Sequence, residues 1–421
     1  MSSSFLHQLF PEDFLWGAST SAHQVEGGNH NQWSEWEDMN ALALSKQSVY
    51  KDEWLPRWRR FKDEALEPQN YISGQASDHY RRYESDFELI ARLNMNAFRF
   101  SIEWSRIQPH SFKDWDNNAV RHYKEYLLAL KARGIEPVVT LWHFTHPVWF
   151  EKQGGFANYN NIKYFTNFAD KIMREIGQDV RYVITINEPD TFVYNSYRIA
   201  SWPPQKHTFL ESIEVYRNLL IAHKIIYKKL RKHKRPYLIS FAKTYAAAYA
   251  GDDRWVSKFG AWLQRFLRDS LVLYQVKHRL DFIAVNYYFA DRYIGFQTDQ
   301  PNTHQSDIGW SMEPERIADV LQWLHKTYKK PILITENGLA DADDRRRKWW
   351  LQLTMKSLIQ ARQNGVKLFG YLHWSLIDNF EWALGKWPRF GLYAVDYKTM
   401  KRTPRPSALW FAKIIAKVRE S

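Results

Sequence analysis

Two glutamates stand in short polar motifs, each ending a run of β-branched residues: Glu188 in Thr185-Ile186-Asn187-Glu188-Pro189 and Glu336 in Ile334-Thr335-Glu336-Asn337-Gly338. Two carboxyl groups facing each other across a cleft can divide acid, base and nucleophile work between them, and cleavage of a glycosidic bond usually needs such a flanking pair. Other polar side chains close comparable runs: Gln24 and Glu26, Glu103 and Trp104, Trp142 and His143, Asn286 with Tyr287 and Tyr288, and Trp374 leading on to Glu381 and Trp382. Amides and carboxylates make paired hydrogen bonds to vicinal hydroxyls, while indole faces pack on C–H surfaces, so the mixture suits a polyhydroxylated ligand.

These residues converge only if the elements carrying them are arranged in a ring. Short β-branched or aromatic runs at 15–19, 97–102, 136–142, 182–187, 237–241, 281–287, 332–336 and 367–374 read as strands. Amphipathic stretches at 80–93, 119–133, 162–176, 213–232, 262–278, 316–328, 347–363 and 408–418 read as helices between and after them. In the first, Tyr83, Phe87, Ile90 and Leu93 recur at helical spacing. Eight strand–helix pairs without a Pro/Gly/Ser-rich linker predict an α/β fold, a single (β/α)8 TIM barrel over residues 1–421, with its site where the strands end. A doubly wound sheet is the competing architecture, but the first run lacks a glycine-rich phosphate turn. Residues 29–77, with Trp33, Trp36, Trp54 and Trp58, form the longest irregular stretch, of a length that is usually functional or partly helical.

The 421 residues contain no cysteine, which excludes disulfides, thiolate metal sites, iron–sulfur clusters and cysteine nucleophiles. No basic start leads into an apolar run at the N-terminus and no stretch of about 18 apolar residues occurs, so a cytoplasmic protein without a membrane partner is expected. Lys+Arg outnumber Asp+Glu by 59 to 46, a net +13 that would suit a nucleic-acid binder. Yet the one dense basic cluster, Lys228 to Arg235, sits where cations complement a helix C-terminus, and no nucleic-acid partner is expected. His143 and His146 are three apart, with His23 and His79 elsewhere, but no ligand set assembles and no metal or cofactor is expected. Asp341, Asp343 and Asp344 read as an acidic helix start.

Four motifs together resemble glycoside hydrolase family 1, the β-glucosidase family, in order along nearly the whole chain. The run from Phe14 to Gly27 looks like its N-terminal signature, and the Glu188 and Glu336 motifs are similar to its acid/base and nucleophile motifs. Trp374-Ser375-Leu376-Ile377-Asp378-Asn379-Phe380-Glu381-Trp382 is similar to its sugar-binding stretch. The resemblance implies a retaining exo-β-glycosidase for glucosides, galactosides or fucosides, with Glu188 as acid/base and Glu336 as nucleophile, carboxyls that in retaining enzymes lie about 5–5.5 Å apart. It places Arg99 and Tyr288 on the nucleophile, with Asn286 supporting. Gln24, Glu381, His143, Trp142, Asn187, Trp374 and Trp382 fall in the sugar site, Asn187 at the 2-hydroxyl and Trp374 as the platform. A 6-phospho-β-glycosidase, for which Lys386 and Arg389 would be the nearby cations, and a non-catalytic sugar-binding barrel are the alternatives. Three departures leave the aglycone preference open: a short connection between strands five and six, a compact loop at 291–310, and His146 at an expected apolar position.

Overall fold

Alternation along the strands separates the inside of the molecule from its outside. In the strand Ala97–Ser101, Ala97 and Arg99 face inward while Phe98 and Phe100 pack outward against Phe87 and Tyr126 of the surrounding helices. This is the period-two geometry of extended backbone. The computed structural model describes residues 10–52, 55, 58–300 and 304–419. Its strands β1 (Leu15–Ser19), β2 (Ala97–Ser101), β3 (Glu136–Thr140), β4 (Tyr182–Asn187), β5 (Leu238–Thr244), β6 (Ile283–Tyr287), β7 (Ile332–Asn337) and β8 (Leu368–Trp374) are parallel. They close into a barrel in sequence order, with β1 pairing to both β2 and β8. The predicted (β/α)8 fold is therefore the observed one.

The principal helices follow their strands in turn: α1 (His79–Arg92), α2 (Asn117–Ala132), α3 (Ile162–Ile176), α4 (Phe209–Arg231), α5 (Trp255–Arg265), α6 (Ile317–Tyr328), α7 (Arg347–Gln363) and α8 (Pro406–Arg419). Most of the apolar core lies between strands and helices. A smaller apolar layer, including Leu15, Val138, Ile184, Ala284 and Leu333, fills the barrel interior and leaves the strand ends above it to polar side chains. Among the described residues no helix is long and apolar enough to cross a membrane.

The stretch 29–77, expected to be functional or partly helical, holds helices at Gln32–Asp52 and Trp58–Leu66 that bury Trp33, Trp36 and Trp58; Trp54 lies outside the described residues. Two expectations need correction. The fifth strand extends through Lys243 and Thr244, paired with Val285 and Asn286 of β6. The extension carries Lys243 into the buried strand, where its ammonium is satisfied by Asp190 and Asp269 at 2.8 and 2.9 Å. The helix expected at 262–278 starts earlier, at Trp255, and is broken by a π turn at Phe266–Ser270 before Leu271–Val276.

The loop after β8 is anchored by a buried ion pair. Both oxygens of Asp378 accept from Arg405 at 3.0 Å, and they also take the backbone N–H groups of Gly391 and Val395 at 2.9 and 3.2 Å. Burial works to raise the carboxyl's pKa, but Arg405, Arg389 and the backbone donors hold it below the usual aspartate value. A depressed folded-state pKa gives stability that is complete above the unfolded value and lost as pH falls through the folded one. Asp378→Asn should therefore cost about 3 kcal/mol in urea melts at neutral pH, with the difference from wild type shrinking only as pH drops below the ordinary aspartate range.

Candidate active site

Both strands that carry the paired glutamates slip in register just where those residues emerge. β4 shifts against β5 between Ile184 and Asn187, and β7 shifts against β6 between Ile334 and Glu336. Such bulges bend a strand and re-aim its side chains. Beyond β4 the chain turns sharply: Glu188 has φ 40°, in the left-handed region, and Pro189 opens the short helix Pro189–Val193. At the end of β7, Gly338 lets the backbone pass the Trp374 carbonyl, whose oxygen would lie 1.7 Å from any Cβ there.

Arg99 is the junction of the site. It is fully buried in β2 and donates to Glu336, to Asn187 Oδ1 at 2.7 Å and to Thr140 Oγ1 at 3.0 Å. Tyr288 donates to the other Glu336 oxygen at 2.6 Å. The Asn286 amide donates to Glu188 at 2.6 Å and to Asn187 Oδ1 at 3.2 Å, and its own oxygen accepts from Thr335 at 2.6 Å. With Asn187 Oδ1 committed to Arg99, its Nδ2 faces His143 Nε2 at 3.2 Å, which makes that ring nitrogen an acceptor and places the ring proton on Nδ1. Burial and the nearby Arg99 keep His143 neutral, its pKa well below the usual histidine value.

The carboxyls differ in their surroundings. Burial, and then the charge of Glu336, raise Glu188 to a pKa of about 7 against the Asn286 bond. Burial raises Glu336 above the usual glutamate value as well, but here Arg99, Tyr288 and Asn286 work against the rise. A third carboxyl, Glu381, accepts from Asn379 at 2.8 Å and Gln24 at 3.4 Å. Burial pushes it up to about 8 despite the Asn379 bond, with Glu336 and Glu188 adding to the rise.

Gln24, His143, Asn187, Glu188, Tyr288, Glu336, Trp374, Glu381 and Trp382 line one cavity of about 1310 Å³. The His143 ring is parallel to the indoles of Trp374 and Trp382, with centroids 5.9 and 6.2 Å away. Arg99 and Asn286 act on this wall from beneath. Trp142, expected in the sugar site, is instead packed behind it among Phe144, Phe156 and Phe192, outside the cavity lining. Val138 and Thr140 point into the barrel, so strict alternation would have turned Trp142 inward; β3 ends at Thr140 instead, and the irregular turn that follows, with Phe144 at φ 70°, puts His143 on the cavity and Trp142 behind it. His146 is likewise off the cavity, stacked on Trp142 and bonded to Glu151 at 2.7 Å. Glu26 and Glu103 are structural: Arg106 and Tyr123 hold the first, Ser105 and Thr145 the second.

The outer walls, from Tyr194, Trp202, Phe289 and Trp310, were not anticipated, nor was Thr244, which bonds Glu188. Phe289 directly follows two tyrosines already singled out and was open to recognition; Trp202 and Trp310 come from loops with no strand-end signal. Among the described residues no group of three or more His, Asp or Glu is placed to hold a metal ion.

A (β/α)8 barrel with paired buried carboxyls and indoles at its strand ends has the architecture of a glycoside hydrolase. The chain belongs to glycosyl hydrolase family 1, whose model matches residues 6–262 and 269–420. It is similar to Beta-glucosidase A of Acetivibrio thermocellus, 29% identical with 96% of this chain and 98% of that protein aligned. It is also similar to the 6-phospho-beta-galactosidase of Clostridium acetobutylicum, 28% identical with 96% of each aligned. Among solved structures, a beta-glycosidase from Pyrococcus horikoshii superposes with a TM-score of 0.84 at 32% identity, covering 97% of this chain and 95% of that one. The protein is thus a glycoside hydrolase enzyme.

The shared Asn286 amide makes a direct prediction. It lowers the Glu188 pKa, so Asn286→Ala should move the titration of Glu188 upward from about 7, read by ¹³C NMR of labelled glutamate carboxyls. An unmoved titration would mean that the bond contributes nothing in solution.

Proposed function

We propose that residues 1–421 act as one catalytic unit, a retaining exo-β-glycosidase that removes terminal β-D-glucosyl residues, with galactosyl and fucosyl residues as further substrates. The observation that carries this reading is the different company kept by two linked carboxyls. Glu336 is ion-paired with Arg99, while Glu188, joined to the same network through Asn286, has a pKa raised to about 7. A nucleophile must be ionised and an acid protonated at the same pH, and this pair is poised for both.

In the first step the Glu336 carboxylate attacks the anomeric carbon as the glycosidic bond breaks, and Glu188 gives its proton to the departing oxygen. In the second, Glu188 takes a proton from water, which attacks the same carbon and releases the sugar and Glu336. Asn187 holds the 2-hydroxyl, where a hydrogen bond strengthens as positive charge develops beside it. Gln24 and Glu381 take the far hydroxyls, His143 and Trp382 the 3-hydroxyl, and Trp374 supplies the platform. Tyr288 steadies the nucleophile; its phenol stays protonated because burial and Glu336 raise its pKa far above the ordinary value.

A 6-phosphorylated glycone fits this cavity poorly. Arg268 is the one Lys or Arg among its described lining residues, against Glu188, Asp190, Asp291, Glu336 and Glu381. Lys386 and Arg389 lie outside the lining, and Arg389 is paired with Glu64 at 2.6 Å. Arg268 is itself paired with Asp269 and Asp291, so the described lining offers a phosphate no uncommitted cation.

Glu336→Ala should reduce hydrolysis of an aryl β-glucoside by at least about a thousandfold. Added azide should partly restore turnover and give the α-glycosyl azide. Wild-type turnover in the variant would end the nucleophile assignment. In a panel of aryl β-glucosides, galactosides, fucosides, mannosides and 6-phosphoglucosides, neutral glucosides should be cleaved faster than the phosphorylated compound; the reverse order would replace this reading.

A further inference from the structure

Helix α5 is amphipathic in the wrong sense for a barrel helix. The residues it buries are small, Ser257, Gly260 and Ala261, and Gly260 sits so close to its neighbour that a Cβ would lie 2.1 Å from the Gly295 carbonyl oxygen. Its large apolar side chains face out instead. Trp255 is 74% exposed and Trp262 54%, with Phe259 and Phe266 between and after them at helical spacing. Phe259, Trp262 and Phe266 stack in series at 5.6 and 5.5 Å, and Phe296 packs edge-on against Phe259. The ridge continues through Leu267 in the π turn and Leu271 and Tyr274 beyond it, all exposed. Contiguous exposed apolar surface of this kind marks a contact with something outside the protein.

The charge around the ridge indicates what that contact is. Between residues 254 and 279 stand Arg254, Lys258, Arg265, Lys277 and Arg279, while Arg268 is turned to the cavity side and paired with Asp269 and Asp291. Asp252 and Asp253, just before the helix, pair with Arg254 and Lys258. Lys277 lies over the exposed Tyr274 ring at 4.2 Å. The whole chain carries +13. A basic surface with tryptophans on its apolar edge matches an anionic bilayer, where indoles settle at headgroup depth and cations meet lipid phosphates. A second copy is disfavoured, because a two-fold contact would set this basic segment against itself.

We propose that α5 and the segment after it dock the protein on an anionic membrane surface. The helix lies in the interface rather than across it, which revises the expectation of no membrane partner. Gln264 and Arg268, on the same segment, line the large cavity, so docking would hold its mouth beside the headgroups.

The test is co-sedimentation of the intact protein with phosphatidylcholine vesicles, with and without phosphatidylglycerol. Binding is expected to the phosphatidylglycerol vesicles, with a blue shift of tryptophan emission and weakening by salt. The triple variant Trp255→Ser, Phe259→Ser, Trp262→Ser should lower the partition coefficient by about tenfold or more, with aryl β-glucoside hydrolysis in buffer unchanged as the check on folding. Absence of wild-type binding, or equal binding by the variant, would overturn the proposal. So would salt-independent binding to phosphatidylcholine alone, or a wild-type dimer in sedimentation velocity that the triple variant abolishes.

Discussion

A guanidinium with no solvent exposure must be neutralised and fully hydrogen-bonded, since an unpaired charge there would cost several kcal/mol. Arg99 meets that requirement with groups from three other strands: Thr140 at the end of β3, Asn187 at the end of β4 and Glu336 near the end of β7. The geometry of the site follows from that demand. Fixing Asn187 by its oxygen turns its amide nitrogen toward His143 and sets the histidine tautomer, and fixing Glu336 leaves its second oxygen to Tyr288. The barrel supplies the ring of strand ends, and Arg99 ties several of them into one constellation. The bulges in β4 and β7 are the local backbone adjustments that accompany it.

The same residue type then serves two ends because its neighbours differ. Glu336 faces a cation and two neutral donors. Glu188 has amide and hydroxyl donors, an anionic neighbour and no cation of its own, so burial dominates. The nearby Asp190 adds to the rise, and Lys243 of β5 pairs with it. Buried charge is thus managed in a sequence of pairs reaching outward from the reacting centre, with Asp269, Arg268 and Asp291 completing it.

This outward chain ends on the segment whose other face is the aromatic ridge, so the charge network beside Glu188 and the exposed surface share one stretch of sequence. The composition contained both clues, an aromatic fraction of 16% and a net +13. Neither could be placed from sequence, because a Trp-Phe-Trp stripe at helical spacing reads as a core-facing surface. Only the small residues opposite it, pressed against Gly295, show that the stripe faces outward.

Much of the architecture was determined by the sequence alone. Eight β-branched runs alternating with amphipathic stretches admit few topologies other than a closed barrel, and the residues at the run ends, Glu188, Glu336, Asn286, Tyr288, Glu381 and Trp382 among them, were identifiable because the fold puts strand ends at one mouth. Tertiary structure decided what depends on direction and on neighbours distant in sequence. It sent Trp142 behind the wall and His143 into the cavity, buried Trp33, Trp36 and Trp58 of the stretch 29–77, and extended β5 through Lys243, whose ammonium meets two aspartates. The reason is physical: periodicity records local backbone geometry, whereas burial, protonation and exposure are set by atoms brought close only when the chain closes on itself.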